Sequence, residues 1–169
     1  MKKIKLFVDS SVNPQAKVGF GAFLEVFDDL SIDDLKKNIK IKRFDDTSST
    51  KLELQSLLWS LDGIEILTDI KIEVYTDCQN IVGLQNRKEK LEANDYKSST
   101  GKTINNYELY KLFFKKIEKL DIDFIKIKGH KRNSLKDELD TIFNLVDKAS
   151  RSALRKNFIQ KTTISIRLF

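Results

Sequence analysis

Apolar positions along this chain recur with two different periods. Ile4 to Val8 and Ile72 to Thr76 are short apolar or β-branched runs, which predict buried strands over residues 4–9 and 71–76. Residues 18–27 and 36–44 alternate apolar and polar side chains, with Ile39 and Ile41 set among lysines, as expected of strands with one covered and one wet face. Asn13-Pro14 breaks the first connection and the acidic stretch Asp28 to Leu35 makes the second, so the three strands predict an antiparallel meander. The period then becomes helical at Leu52, Leu54, Leu57, Leu58 and Leu61, with Ser48, Ser49 or Thr50 as the cap and Gly63 as the stop. Strands near 71–76 and 122–128 alternate with helices, the last of them around Phe143, Leu145, Val146, Ala149 and Ala153. Strands separated by helices join a sheet in parallel through right-handed crossovers. The predicted fold is α/β, a mixed five-stranded sheet with helices on both faces, forming one domain over residues 1–156. Residues 157–169, rich in Thr and Ile, read as a C-terminal tail or an extra strand.

Four carboxylates stand out against this frame. Asp9 and Asp77 close two of the apolar strands, while Glu53 and Asp147 lie in two of the helical patterns, so four separate elements could deliver acids to one place. Like charges brought together repel and raise one another's pKa, and such a cluster needs cations to neutralise it. Oxygen donors of this kind suit Mg²⁺ or Mn²⁺, and two such ions about 4 Å apart clamp the attacking and leaving oxygens of a phosphodiester. The alternative for each acid taken singly is a solvated turn residue. Asp140 competes with Asp147 as the acid of the last helix.

Composition narrows the partners without choosing one. Of 169 residues, 31 are Lys or Arg and 25 Asp or Glu; the net charge of +6 favours a polyanion, although abundant lysine also follows from genome composition alone. Arg87, Lys88, Lys90, Lys97 and Lys102 cluster after Asp77, forming either a basic lobe or a solvated charged loop. Cys78 is the single cysteine, so no internal disulfide forms and a reducing, cytoplasmic setting is expected. With no activating pattern beside it, Cys78 reads as a small half-buried residue rather than a nucleophile. Met1-Lys2-Lys3 leads straight into a strand, with no apolar core of a signal peptide, and no apolar run is long enough to span a bilayer.

Local sequence around the acids adds a resemblance. Phe7-Val8-Asp9-Ser10-Ser11, with Gly19-Phe20-Gly21-Ala22-Phe23-Leu24 after it, resembles the first hairpin of the ribonuclease H family. Thr47 to Leu54 resembles that family's helix with the catalytic glutamate, and Tyr75 to Val82 its central strand and following helix. Lys128-Gly129-His130 is similar to its strand-end histidine motif, and Asn144 to Arg151 to the last helix with the fourth carboxylate. The pieces follow the family's order over residues 4 to about 155, and the chain is identified as resembling a bacterial-type ribonuclease H of type 1.

The resemblance implies metal-dependent hydrolysis of the RNA strand of RNA/DNA hybrids, leaving a 3′-hydroxyl and a 5′-phosphate. It implies two Mg²⁺ or Mn²⁺ ions with substrate bound: Asp9 bridging both, Glu53 and Asp77 completing one, and Asp147 holding the other. His130, the sole histidine, would assist proton transfer or product departure. The Asn144 to Ala149 match favours Asp147 over Asp140. Gln79 falls where the family touches the minor groove with an amide, and Ser49 and Thr50 fall where asparagines are common. Ser10 stands in place of the usual glycine; with Ser11, Arg87 and Lys88 it completes the expected substrate contacts. A monomer is expected. The rival readings are a nuclease of the same fold with another nucleic-acid substrate and a non-catalytic module that holds hybrid without cutting it.

Overall fold

The computed structural model describes residues 2–27, 31–64, 69–128 and 137–167. Five strands, β1 (Lys2–Asn13), β2 (Val18–Val26), β3 (Lys40–Asp45), β4 (Ile70–Thr76) and β5 (Asp121–Lys126), form one sheet in the order β3-β2-β1-β4-β5. β1 pairs antiparallel with β2 and β2 with β3, while β4 joins β1 in parallel and β5 joins β4 in parallel. The expected α/β architecture, a meander extended by crossovers, is the one observed.

Alternation along the strands builds two cores. Ile4, Leu6 and Val8 of β1 pack with Phe23, Val74 and Ile72 beneath α2 (Ser49–Asp62), α3 (Gln79–Val82) and α5 (Tyr107–Ile117), whose Leu54, Leu57, Leu61, Ile81, Phe113 and Phe114 are buried there. Phe7 points the other way, joining Ala22, Leu24 and Tyr75 under Ile142, Phe143 and Val146 of α6 (Glu138–Arg167) and Leu35 of α1 (Ile32–Lys37). Each face thus receives every second side chain, the rule for a sheet covered on both sides. α4 (Lys88–Ala93) follows a 3₁₀ turn over Gln85–Arg87. Trp59 packs edge-on against Phe23 at 4.6 Å, a core role.

Three local readings need correction. The third strand does not begin at Lys36, because Ser31 to Lys37 turns into α1. Ser31 Oγ accepts the Asp34 N–H at 3.2 Å, acids fill the first turn and lysines the last, and Leu35 is buried. β1 does not stop at Asp9 either; its antiparallel register with β2 runs on to Asn13↔Val18. Finally, residues 157–167 form no extra strand but continue α6 to Arg167. Extending an existing helix costs far less than nucleating a new element, and this outweighs the weak β preference of Thr162, Thr163, Ile164 and Ile166. Among the described residues no helix is long and apolar enough to cross a membrane.

Candidate active site

Strand register sets the first two acids side by side. The parallel pairing of β1 with β4 ends at Phe7↔Tyr75, whose rings stack at 4.8 Å, and two residues further along each chain stand Asp9 and Asp77. Asp9 itself remains within the β1–β2 hairpin, opposite Ala22, so its backbone is held while its neighbour on β4 has left the sheet. Glu53 arrives from the α2 side. Gly19 and Gly21 of β2 let that helix approach closely: a Cβ on Gly21 would lie 2.9 Å from Ser56 Cβ and nearer still to Ser56 Oγ, and one on Gly19 would meet Leu52. Leu52 and Leu54 are fully buried on either side of Glu53, which fixes the helix roll. Asp147 comes from the opposite face, where α6 is keyed to β1 by the Ser11–Ser150 hydroxyl contact at 2.9 Å.

A small cleft of about 10 Å³ is lined by Asp9, Ser10, Glu53, Ser56, Thr76, Asp77 and Cys78. Electrostatic strain concentrates on Asp9. Burial first, then the charge of Asp77 and a hydrogen bond and charge from Asp147, push its carboxyl up to about 8, against a pull downward from the Ser10 N–H. Burial and Asp77 also raise Glu53, opposed by the Cys78 thiol, which donates to Glu53 Oε2 at 2.7 Å. Burial and that bond together push the thiol up to about 12, so it stays a protonated donor. Asp147 Oδ1 accepts Arg151 Nε at 2.7 Å one turn along α6.

Thus the structure brings Asp9, Glu53 and Asp77 to one cleft and sets Asp147 near enough to Asp9 to raise its carboxyl. Among the described residues no three His, Cys, Asp or Glu side chains are gathered closely enough to hold a metal ion. The donors are carboxylate oxygens whose negative charge is resisted by their surroundings, a set chemically suited to a hard divalent cation. Asp140, the rival acid, is engaged with the backbone instead. Asp140 N–H donates to Asp137 Oδ1 at 2.8 Å and Asp137 N–H to Asp140 Oδ2 at 3.2 Å, a reciprocal cap at the start of α6.

The expected recognition residues divide into two groups. Ser49 and Thr50 are exposed in the first turn of α2, Ser10 lines the cleft, and Gln79 is exposed at the start of α3 with its Oε1 accepting Lys126 Nζ at 2.6 Å. The others are engaged inside the protein: Ser11 with Ser150, Arg87 with the Asn80 side chain and carbonyl, and Lys88 with Glu118 at 3.0 Å. His130 and Gly129 lie outside the described residues. Sequence reasoning missed the contacts of Cys78 and Arg151. The i,i+4 spacing of Asp147 and Arg151 was a usable signal; nothing local predicts the meeting of Cys78 and Glu53, which depends on how α2 and α3 pack.

Comparison with known proteins gives a consistent result. The family model described as RNase H matches residues 1–153. The Ribonuclease H of Clostridium botulinum is 27% identical over 147 residues, covering 85% of this chain and 95% of that protein. The Ribonuclease H of Caldicellulosiruptor saccharolyticus is 26% identical over 162 residues, covering 92% and 99%. Among solved structures, LC9-RNase H1, a type 1 RNase H with the type 2 active-site motif, superposes with a TM-score of 0.67 at 15% identity over 90% of this chain and 72% of that one. A foamy viral protease-reverse transcriptase in complex with dsDNA gives 0.62 at 9% identity over 89% and 94%. At such identities the structural likeness concerns the fold alone.

Proposed function

The chain belongs to the ribonuclease H family, a family of hydrolases, and from that premise we propose that it is an endonuclease cutting the RNA strand of RNA/DNA hybrids to 3′-hydroxyl and 5′-phosphate ends. Asp9, Glu53, Asp77 and Asp147 would hold divalent ions, Mg²⁺ or Mn²⁺, two with substrate bound. Bound there, such ions supply an activated water and neutralise charge on the scissile phosphate.

The single observation that carries this reading is the convergence of Asp9, Glu53 and Asp77 from three elements on one cleft, and Asp9 feels it most. Its carboxyl is pushed up to about 8 by burial and by the acids contributed from β4 and α6. An arrangement that opposes its own charges has a chemical use when cations join it. The chain's residues orient the rest. The Leu52 and Leu54 anchors present Glu53 to the cleft, and the Ser11–Ser150 contact holds Asp147 in register with Asp9. Ser49, Thr50 and Gln79 are exposed close in sequence to Glu53 and Asp77, as hydroxyl and amide donors reaching 2′-hydroxyls and phosphates across a wide minor groove would be. His130 is assigned to proton transfer or product departure. The free thiol of Cys78 fits a reducing cytoplasmic setting, and a monomer is the assembly proposed.

The test is cleavage of a labelled RNA/DNA hybrid with Mg²⁺ or Mn²⁺ by wild type, Asp9→Asn and Asp77→Asn. Wild type cuts the RNA strand, and each variant falls by at least about a hundredfold, since even the partners of metal ligands are worth 10–100-fold. Circular dichroism confirms that the variants fold. Preferential cutting of duplex RNA or single strands would mark a nuclease with another substrate. Binding of hybrid without metal-dependent turnover would mark a binding module.

A further inference from the structure

Cys78 has no part in the hydrolysis as set out above, yet its thiol is bonded to one of the four acids. Its Sγ donates to Glu53 Oε2 at 2.7 Å, linking α3 to α2 across the cleft that both line. The thiol is itself held in place. Cys78 N–H donates to the buried Thr76 Oγ1 at 3.1 Å, and the Cys78 carbonyl accepts Val82 N–H at 3.2 Å as the chain enters α3. Ile81 and Leu84, both buried, anchor the segment that follows.

Glu53, by contrast, is a long side chain whose rotamers must be fixed before its carboxylate can serve as a ligand. The helix on which it rides is rigid, but the side chain is only half-buried. A donor on one carboxylate oxygen sets the plane of the group and leaves Oε1 outside that bond. Partners of this kind orient metal ligands and tune their affinity.

We infer that Cys78 is a positioning residue: through its Sγ–H···Oε2 bond it restrains the Glu53 carboxylate at the cleft that both line, and so strengthens the hold of that cleft on a divalent cation. The inference rests on the proposed function, and its test separates the two. Mn²⁺ binding is measured by calorimetry without substrate, and hybrid cleavage is followed across a Mg²⁺ titration, for wild type, Cys78→Ala, Cys78→Val and Cys78→Ser. Alanine and valine remove the donor, valine while filling most of the space, so a folded variant is available if the alanine cavity is not tolerated. Serine keeps a donor.

Ala and Val variants are expected to bind Mn²⁺ about tenfold more weakly or worse. They should need correspondingly more Mg²⁺ for half-maximal cleavage, with the rate at saturating metal little changed, and serine should recover most of the loss. A purely structural cysteine would lower the melting temperature without moving metal affinity. A valine variant with wild-type Mn²⁺ affinity, or a serine variant as weak as valine, overturns the inference while leaving the proposed function standing. A wild type that neither binds Mn²⁺ nor cuts overturns the proposed function, and the inference with it.

Discussion

Asp9 is the residue on which the surroundings act most strongly, and its protonation has a consequence for the whole protein. Its carboxyl stands at about 8 when folded against 3.8 ordinarily. Below about pH 4 it is protonated in both folded and unfolded chains and contributes no pH dependence. Between there and about pH 8 the unfolded chain has released the proton while the folded one retains it, so stability falls as pH rises through this window and levels off above it. Urea denaturation of the metal-free protein across that range should show the decline, Asp9→Asn should abolish most of it, and saturating Mg²⁺ should suppress it by binding the ionised form. A metal-free wild type of constant stability across the window would contradict the assignment. The local sequence Phe7-Val8-Asp9 made this residue visible as an acid beside an apolar run; its shifted proton depends on its burial first and then on Asp77 and Asp147, which are remote in sequence.

Among the elements, α2 shows how packing places a functional group. Its hydrophobic spacing made the helix legible, but the depth at which it lies on β2 is decided by Gly19 and Gly21, which make room for Leu52 and Ser56. Gly21→Ala should therefore destabilise the fold by about 1–3 kcal/mol, the usual cost of overpacking, and displace Glu53 enough to lower cleavage. Chemical denaturation together with the Mg²⁺ dependence of cutting checks this; an alanine variant equal to wild type in both would show that α2 has room to spare. Capping explains a second element. Asp137 and Asp140 bond each other's backbone N–H at the start of α6, so Asp137→Ala should cost about 1 kcal/mol without a change in metal dependence. The same cap removes Asp140 from competition with Asp147, a distinction that helical periodicity alone did not make. α1 was read as a connection because its six residues are too few for periodicity to register.

For the whole molecule, the two-faced sheet is what joins four acids from distant parts of the chain. α2 and α3 cover one face, α6 the other, and both come together where the parallel seam of β1 and β4 ends. The far end of α6 lies outside this arrangement. Past residue 156 Asn157 Oδ1 accepts an exposed bond from Arg43 Nη1 at 2.8 Å, and Phe158 is half-buried; an exposed bond contributes about 1 kcal/mol at most. A chain ending at Lys156 should keep its fold and its cleavage of hybrid, with a midpoint of thermal unfolding lowered by a few degrees, about the shift of a loss of 1–2 kcal/mol as Arg43 loses its partner and the half-buried Phe158 is removed. Loss of folding on truncation would move the domain boundary to the end of α6.

Sequence alone determined the order of the five strands, the helices that carry Glu53 and Asp147, and the two-faced burial, because alternation and helical spacing are local consequences of backbone geometry. It also marked the four acids, since an acid beside an apolar run is visible without coordinates. Tertiary structure alone decided what two of those acids meet: the Asp9–Asp77 adjacency set by strand register and the Glu53–Cys78 bond. Both join residues far apart in the chain, whereas the Asp147–Arg151 pair and the Asp137–Asp140 cap are local to α6. Such meetings depend on the depth, roll and register at which elements pack, and those are properties of the assembled core rather than of any local stretch.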